Sequence, residues 1–318
     1  MLKAFLDKYP SGSNFNQATT KYKQLVAERQ EAERVKAEAE AYVALGAAPT
    51  EQALKEFLEK YPAGAHFTQA TAKHTELVTE RQEAERKAKT EEARRAIANA
   101  SKTNPFVNSL GMKFVPVAGT AVLFGVWDVR VRDYRAYASA AGAVGGSWQQ
   151  PGFTQGEDHP VVNVSWEDAQ AFCAWLSQKE RREGQLSEQQ SYRLPREEEW
   201  SRAVGNGKYP WGGQWPPPSG AGNYDEATLG VDKYVNTSPV ASFEANQYGL
   251  YDMGGTVWQW CEDWYDREQK GRGLRGASWY NGRTPEYLLS SYRYNHPPGG
   301  RDNRIGFRCV LVVGGSAR

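Results

Sequence analysis

The side chains best suited to a functional role lie in one segment, residues 275–308. Residues 280–296 hold four tyrosines together with Asn, Ser, Arg, Gly and His, but no lysine, no cysteine and one carboxylate, Glu286. Tyrosine supplies a large, stiff, amphipathic contact area, and Ser, Asn and Gly supply adaptable hydrogen bonds. Groups for acid–base or nucleophilic chemistry are scarce. The composition is therefore typical of a binding surface.

The spacing of the aromatic residues favours an extended strand. Tyr292, Tyr294 and His296 alternate, so a strand would place them on one face and leave Arg293 on the other face as part of the scaffold. No second histidine or carboxylate lies at ligand spacing from His296, which predicts a rim residue and not a metal ligand. The alternative is an edge strand whose tyrosines only pack. The candidate ligand-binding residues are Tyr280, Asn281, Gly282, Arg283, Tyr287, Leu289, Tyr292, Tyr294 and His296.

Length and charge limit the class of protein. A chain of 318 residues is expected to form two domains. The net charge of +1 argues against a nucleic-acid-binding surface. The sequence has no run of 18 apolar residues and therefore no predicted membrane span. An amphipathic pattern starts directly after Met1, which does not resemble a signal peptide. We therefore expect a cytoplasmic protein. Three scattered cysteines suit neither a disulfide framework nor a zinc site.

The sequence changes character near residues 101–105. All 11 tryptophans lie at or after Trp127, and only three of the 31 glycines precede residue 100. The first part is rich in Ala, Glu, Lys and Arg with helical periodicity, whereas the second is rich in Gly, Pro and Trp. We expect α-helical hairpin repeats or a linker over residues 1–100 and a second domain over residues 105–318.

The first part is an internal repeat. Residues 2–10 recur as residues 54–62, and residues 25–34 recur as residues 77–86, in both cases 52 residues later. Each unit predicts a short helix ended by Tyr-Pro, a turn containing glycine and a longer helix, loosely resembling tetratricopeptide-type repeats. Two roles stay open: an arm that binds a partner or a second copy, or a charged helical linker.

The second part carries a series of motifs. Ser165 with Asp168 predicts the capped start of one helix, and residues 193–200 predict another that opens with a proline and acids. Together with Tyr209-Pro210-Trp211-Gly212, Val257-Trp258-Gln259-Trp260 and Gly306-Phe307-Arg308-Cys309, in this order, they resemble the formylglycine-generating enzyme (sulfatase-modifying factor) family over about residues 105–313. The resemblance implies an α+β fold, a variant of the C-type lectin fold with two helices and many short strands.

The same resemblance implies an enzyme, but its essential residues are missing. Members of the family oxidise a substrate cysteine with a pair of copper-binding cysteines that follow a Gly-Gly-Ser-Trp-like motif. The matching residues 278–287 contain no cysteine, and copper(I) selects thiolates, so we expect no copper and no catalytic residue. Cys173 and Cys309 match a scaffold pair that can be disulfide-linked in the family, and Cys261 is expected to be a buried small hydrophobe.

The segment resembles a second group of proteins on this fold, those diversified by retroelements. Their variable region begins near Arg-Gly-Gly-Ser-Trp and ends with Ile-Gly-Phe-Arg; here the flanks are residues 275–279, with Ala277 in place of glycine, and residues 305–308. Mutation in that system is directed at adenines, and most of the residues between the two flanks are of the types that it produces. The resemblance implies a receptor-like protein that binds an unknown protein or carbohydrate.

Calcium is the other cofactor that the resemblance implies. One family site matches Asn223, Tyr224, Asp232 and Tyr234, and side-chain and backbone oxygens suit this cation. Asn223 and Asp232 could instead be ordinary loop residues that make Asx turns. At a second family site Thr256 and Gln259 replace an asparagine and a glutamate, so we expect no ion there.

Overall fold

The computed structural model describes residues 1–142 and 144–314, and the chain divides into two compact units after Arg86. Residues 315–318, which the sequence assigns to the second domain, lie outside the described residues. Among the described residues, no helix is long and apolar enough to cross a membrane. The helices that precede the second domain are α1 (Leu2–Lys8), α2 (Phe15–Ala44), α3 (Glu51–Lys60) and α4 (Phe67–Ala98).

Each repeat consists of the predicted short and long helix. α1 and α3 end where Tyr9 and Tyr61 leave the helical region, since a following proline disfavours helical geometry in the residue before it. Thr50 starts α3 by accepting a hydrogen bond from the backbone N–H of Ala53 at 3.1 Å. The second repeat has a small apolar core. Its buried members are Leu54, Phe57, Tyr61 and Ala70.

The second unit combines helices with two sheets. Its helices are α5 (Val131–Ala141), α6 (Trp166–Arg182), α7 (Glu197–Val204) and the short α8 (Glu226–Leu229). The five strands of the first sheet, in spatial order, are β1 (Phe106–Val107), β2 (Lys113–Pro116), β3 (Val122–Gly125), β9 (Val310–Val312) and β4 (Ser191–Arg193). The four strands of the second sheet are β7 (Tyr294–His296), β6 (Arg272–Arg275), β5 (Trp258–Trp264) and β8 (Ile305–Gly306). The mixed α+β architecture predicted from the motifs is confirmed.

The first sheet packs with α5 and α6 around the main core. The Phe172 ring of α6 packs against the rings of Tyr134 in α5, at 5.9 Å, and Phe307, at 5.5 Å. The predicted capping box starts α6, because Asp168 N–H donates to the Ser165 hydroxyl at 3.1 Å and Ser165 N–H donates to the Asp168 carboxylate at 2.9 Å. Helix α6 therefore follows from local sequence.

Two details of the helices differ from expectation. The resemblance implies two helices, but α5 is a third helix of comparable length. Asp133 stabilises its start by accepting a hydrogen bond from the backbone N–H of Arg130 at 3.1 Å. The helix predicted at residues 193–200 begins at Glu197, so Pro195 precedes it. Extended geometry at the cap, Arg196, sets that start and leaves three glutamates in the first turn.

A buried guanidinium joins the two sheets. Arg308 is fully buried and donates to two carbonyl oxygens, each at 2.7 Å: that of Gly125, the last residue of β3 in the first sheet, and that of Tyr251. Its Nε donates to the Gln259 side-chain oxygen at 3.1 Å, and the Trp200 indole N–H donates to the same oxygen at 2.8 Å. Because Gln259 belongs to β5, these hydrogen bonds fix β5 against the first sheet.

Two carboxyl groups lie close to this guanidinium. An Asp128 oxygen is 3.7 Å from an Arg308 nitrogen, and neither carboxyl oxygen of Asp128 has a hydrogen-bond partner among the described residues. Burial raises the pKa of Asp128 to about 8, although Arg308 opposes the shift. Burial likewise raises the pKa of Asp252 to about 6, opposed by a hydrogen bond from Ala241 N–H and by Arg308.

These shifts predict a pH dependence of stability. A carboxyl whose pKa is higher in the folded than in the unfolded protein keeps its proton in the folded state, so the free energy of unfolding falls as the pH rises above the unfolded value of 3.8 and levels off above about 8. Asp128→Asn should reduce the decline between about pH 6 and pH 8, measured by urea denaturation at several pH values. The exposed Asp266→Asn is the control; equal slopes for Asp128→Asn and the parent would contradict the assignment.

Candidate functional site

The segment 275–308 is anchored at its start by another buried guanidinium. Arg275 donates to the Ser290 carbonyl at 2.8 Å and to the Ser201 hydroxyl at 3.0 Å, and it lies over the Trp200 ring. Ala277, in place of the usual glycine, is fully buried with a positive φ of 65°. This left-handed geometry disfavours alanine, but the buried surroundings impose it.

A tight turn follows the anchor. The Asn281 side-chain oxygen accepts hydrogen bonds from the Ser278 backbone N–H at 3.0 Å and from its hydroxyl at 2.8 Å. The next residue, Gly282, is buried, and a Cβ atom there would lie 2.7 Å from the Cβ of Asp225. Arg283 is highly exposed, with a 3.6 Å ion pair to the same Asp225. Gly282 is therefore a spacer that permits close approach, and Arg283 lies at the surface.

Further along the segment, Arg293 holds the chain just before β7. Its guanidinium makes a bidentate ion pair with Glu197 and lies over the Tyr265 ring at 4.8 Å, as expected for a scaffold residue. Strand β7 begins only at Tyr294, so Tyr292 precedes the strand. Tyr292 and Tyr294 nevertheless lie on the same side of the chain, because both rings contact Trp258.

The aromatic side chains enclose a cavity of about 260 Å³. Its base is the buried Trp258, whose ring centre lies 6.1 Å from that of Tyr292 and 5.4 Å from that of Tyr294, and the Tyr287 and Tyr292 rings are 5.0 Å apart. The cavity is lined by Trp258, Tyr280, Asn281, Tyr287, Tyr292, Tyr294, His296, Asp302, Arg304 and Ile305.

Most of the candidate ligand-binding residues are brought together here. Tyr280, Asn281, Tyr287, Tyr292, Tyr294 and His296 line the cavity. Gly282, Arg283 and Leu289 are not among its lining residues, and Leu289 packs partly buried against the main core. Sequence reasoning missed Trp258, Asp302, Arg304 and Ile305. Trp258 and Ile305 belong to motifs that were recognised only as markers of the family or of the flank, and no motif drew attention to Asp302 or Arg304.

An ion pair forms one wall of the cavity. Arg304 donates to the two oxygens of Asp302 at 2.8 and 2.6 Å and lies over the Tyr280 ring at 5.3 Å. Hydrogen bonds from Arg304 hold the pKa of Asp302 below its usual range. Desolvation raises the pKa of Tyr292, so its hydroxyl stays protonated and both donates and accepts. The wall therefore offers hydrogen bonds around an aromatic base.

The cysteines lie in the core, away from this wall. Cys173 and Cys309 are unbridged, with sulfur atoms 3.4 Å apart, and Cys261 is buried as expected. Burial raises the pKa of the Cys261 and Cys309 thiols well above the ordinary value, which disfavours thiolates. Within residues 1–142 and 144–314, no three His, Cys, Asp or Glu side chains cluster as a metal site.

The residues matched to the first calcium site lie together in a loop. Asp232 accepts hydrogen bonds from Tyr224 N–H at 3.0 Å and Tyr234 N–H at 2.7 Å. The Asn223 amide donates to the Asn236 carbonyl at 2.8 Å, and its side-chain oxygen is buried without a hydrogen-bond partner among the described residues. Asp232 and Tyr234 also line a wide depression of about 1040 Å³ that is separate from the aromatic cavity.

The residues matched to the second calcium site belong to the core. The Gln259 side-chain oxygen already accepts from Arg308 and Trp200, and its amide donates to the Asp252 carbonyl at 2.8 Å. Thr256 is fully buried, with its hydroxyl 3.5 Å from that of Ser238. A neutral amide engaged in this way does not fit a calcium ligand.

Comparison with known proteins places the second unit in a family. Residues 106–313 match the family model of the sulfatase-modifying factor enzyme 1-like domain. The chain belongs to this family. An inactive Cα-formylglycine-generating enzyme 2 from Bos taurus is 34% identical over 184 residues, covering 52% of this chain and 56% of that protein. A formylglycine-generating enzyme from Thermomonospora curvata is 34% identical over 170 residues, covering 50% and 52%.

One of these relatives is named as an enzyme and the other as an inactive one, and the chain spans about half the length of both. Among solved structures, Treponema denticola variable protein 1 has a TM-score of 0.50 at 24% identity, covering 59% of this chain and 84% of its own. PvdO from Pseudomonas aeruginosa has a TM-score of 0.50 at 26% identity, covering 60% and 80%. The predicted C-type lectin-like domain behind N-terminal helices is confirmed.

Proposed function

We propose that this protein binds a ligand at the aromatic cavity, through surface complementarity and without making or breaking covalent bonds. One observation carries the proposal: Tyr280, Tyr287 and Tyr294 are 58%, 41% and 45% exposed around a buried tryptophan base. Exposed aromatic side chains that converge on a concave surface are the residues that dominate binding energy.

The dimensions favour a small recognised group. A volume of about 260 Å³ is at the low end for ligand pockets and suits one protruding side chain or one sugar ring. Tyrosine rings contribute apolar contact, while their hydroxyls and the guanidinium of Arg304 contribute hydrogen bonds. The ligand is therefore a protein or a carbohydrate that presents such a group.

We also propose that a retroelement diversifies the segment. Tyr280, Tyr287 and Tyr294 are largely exposed, so replacing them should hardly disturb the fold. Both flanks are buried: Arg275 supports the loop after β6, and Arg308 joins the sheets. This arrangement tolerates variation between fixed ends, and the fold shared with a variable protein of Treponema denticola is consistent with it.

An oxidase of the formylglycine-generating type is the competing function. It requires thiolates that bind copper. The cavity is lined by tyrosines and an ion pair, and all three cysteines are buried with the pKa of two of them raised. The match to an inactive relative shows that a related chain is classed as catalytically inactive. We therefore propose that this protein is not an enzyme.

Diversification predicts a distinct pattern of natural variation. Sequencing the gene from many cells of one population should reveal substitutions confined to codons 280–304, concentrated at Tyr280, Tyr287 and Tyr294. Codons 276 and 308 should stay constant, because a Cβ atom on Gly276 would lie 3.2 Å from a backbone oxygen and Arg308 is fully buried. A uniform gene would refute diversification and leave a binding protein of fixed specificity.

Binding and packing roles of the tyrosines predict different stabilities. Tyr280→Ala and Tyr294→Ala should each lower the free energy of unfolding by less than about 1 kcal/mol, since both side chains are largely exposed. The buried Tyr134→Ala is the matched control and should cost about 3–5 kcal/mol. Urea denaturation measures both effects.

Binding is then compared on the same variants. A ligand selected on the parent protein from a peptide display library and a panel of oligosaccharides should bind Tyr294→Ala at least tenfold more weakly. A loss of several kcal/mol of stability in the exposed-tyrosine variants, with unchanged ligand binding, would instead assign the segment to packing.

We propose that calcium binds at Asn223, Tyr224, Asp232 and Tyr234. The supporting observation is the buried Asn223 side-chain oxygen, which lacks a hydrogen-bond donor among the described residues and would gain a partner in the cation. Asp232 supplies a carboxylate, and the two tyrosines supply backbone carbonyl oxygens. Bound calcium would hold the loop that carries α8 and Asp225, next to the turn at Gly282.

Calcium binding predicts a change in stability. Adding calcium to protein stripped with a chelator should raise the melting temperature, because a cation that binds only the folded state contributes about 2.7 kcal/mol at one hundred times its Kd. Asp232→Asn should abolish most of the increase, whereas the exposed Asp266→Asn should not. An identical melting temperature with calcium and with chelator would exclude the site.

A further inference from the structure

The short helices of the two repeats have the same local geometry. In α1 the Phe5 and Tyr9 rings are 5.2 Å apart at 43°; in α3 the Phe57 and Tyr61 rings are 5.1 Å apart at 42°. Tyr9 N–H donates to the Phe5 carbonyl at 2.9 Å, and Tyr61 N–H donates to the Phe57 carbonyl at the same distance. Phe5 and Tyr9 therefore form on α1 the same aromatic face that Phe57 and Tyr61 form on α3; we call it the α1 face.

The two faces differ in what covers them. Phe57 and Tyr61 are 5% and 7% exposed, whereas Phe5 and Tyr9 are 42% and 50% exposed. The amino acids are the same at these positions, so the difference is due to their neighbours. An apolar face that is buried in one repeat is exposed in the other.

Part of the apolar cover of α3 comes from Ala70 and Leu77 of α4, and their counterparts Ala18 and Leu25 are present in the first repeat. The part without a counterpart in the first repeat is the end of α2. The Tyr42 ring lies 5.6 Å from the Phe57 ring, and Ala41 and Leu45 pack in the same cluster. Leu45, the residue that follows α2, lies three and four positions after Tyr42 and Ala41, a spacing that places it next to both of them. The structure thus shows directly which kind of helix end fits such a face.

A polar contact fixes the register of this cover. The Glu38 carboxylate accepts hydrogen bonds from the backbone N–H groups of Ala65 at 3.0 Å and His66 at 2.8 Å, in the turn after α3. The residues 52 positions earlier are Ser13 and Asn14, in the turn after α1. No carboxylate corresponding to Glu38 meets that turn among the described residues.

We propose that α1 is a docking site for the end of an α2-type helix from a further repeat of this kind. Its recognition residues would be Glu, Ala, Tyr and Leu at the spacing of Glu38, Ala41, Tyr42 and Leu45. The carboxylate would bind the turn at residues 13–14, and the apolar residues would cover Phe5. Repeats of this class are stabilised by stacking on their neighbours.

A second copy of the chain does not supply this helix end without loss. The α2 end of each copy already covers its own α3, so exchanging it would expose one face to bury another. The corresponding end of α4 has Arg94 at the position of Tyr42, and its Ile97 is buried in the core of the second unit. A further repeat is therefore the occupant that would bury the α1 face without exposing another apolar face.

The experiment fuses a second copy of the α2 helix end to the N-terminus of the full chain. A duplicate of residues 15–53 replaces Met1, so that it joins Leu2 with the spacing by which residues 15–53 precede Leu54. Hydrogen–deuterium exchange of residues 5–9 should slow at least tenfold, since the α1 face becomes buried. The matched control carries Glu38→Ala, Tyr42→Ala and Leu45→Ala in the duplicate alone and should leave exchange at residues 5–9 unchanged.

Three results would overturn the proposal. They are unchanged exchange at residues 5–9 with the unmutated duplicate, equal protection with the control duplicate, and a dimer of the parent chain in which residues 5–9 are already protected. Phe5→Ala in the chain should cancel the protection given by the duplicate without unfolding the protein, because Phe5 is largely exposed. None of these results depends on the aromatic cavity.

Discussion

The second unit depends on how it accommodates the buried guanidinium of Arg308. A buried cation without partners costs several kcal/mol, so its donors must meet acceptors. The carbonyls of Gly125 and Tyr251 and the side chain of Gln259 are those acceptors, and they come from the first sheet, a loop and β5. Satisfying one side chain therefore fixes the relative position of both sheets. Trp258, the base of the cavity, precedes Gln259 on β5 and is positioned by the same hydrogen bonds.

The segment 275–308 separates support from contact. Arg275 and Arg308 are buried at its two ends, and Arg293 is paired with Glu197 in α7. The tyrosines between them project toward solvent around the cavity. Because these supporting bonds are made by Arg275, Arg293 and Arg308, and the turn by Asn281, the identity of the exposed tyrosines does not determine the path of the backbone. Under the proposed function, replacing a tyrosine would change the specificity of the site and leave the fold unchanged.

The sequence predicted those helices whose ends are set by interactions between residues close together in the chain. Helix α6 was predictable because Ser165 and Asp168 satisfy its first N–H groups, and the repeat helices because Tyr-Pro ends them. Helix α5 was missed because its cap residue is Arg130, which carries no standard capping signal. The walls of the cavity were missed for another reason: Trp258 and Arg304 reach it through tertiary contacts, which spacing along a single strand does not encode. Gly282 was grouped with the contact residues by composition, although its environment makes it a spacer.

The electrostatics of the cavity determine what kind of selectivity is possible. Arg304 holds Asp302 in an ion pair and also lies against the Tyr280 ring, so the charged residues of this wall are largely compensated by each other. A ligand then gains little from charge alone, and its affinity depends on how well its shape fits the rings and how many hydroxyls it reaches. Both properties change when one aromatic side chain is replaced. If the cavity binds a ligand as proposed, the exposed tyrosines, and not this ion pair, would therefore determine which ligand is bound.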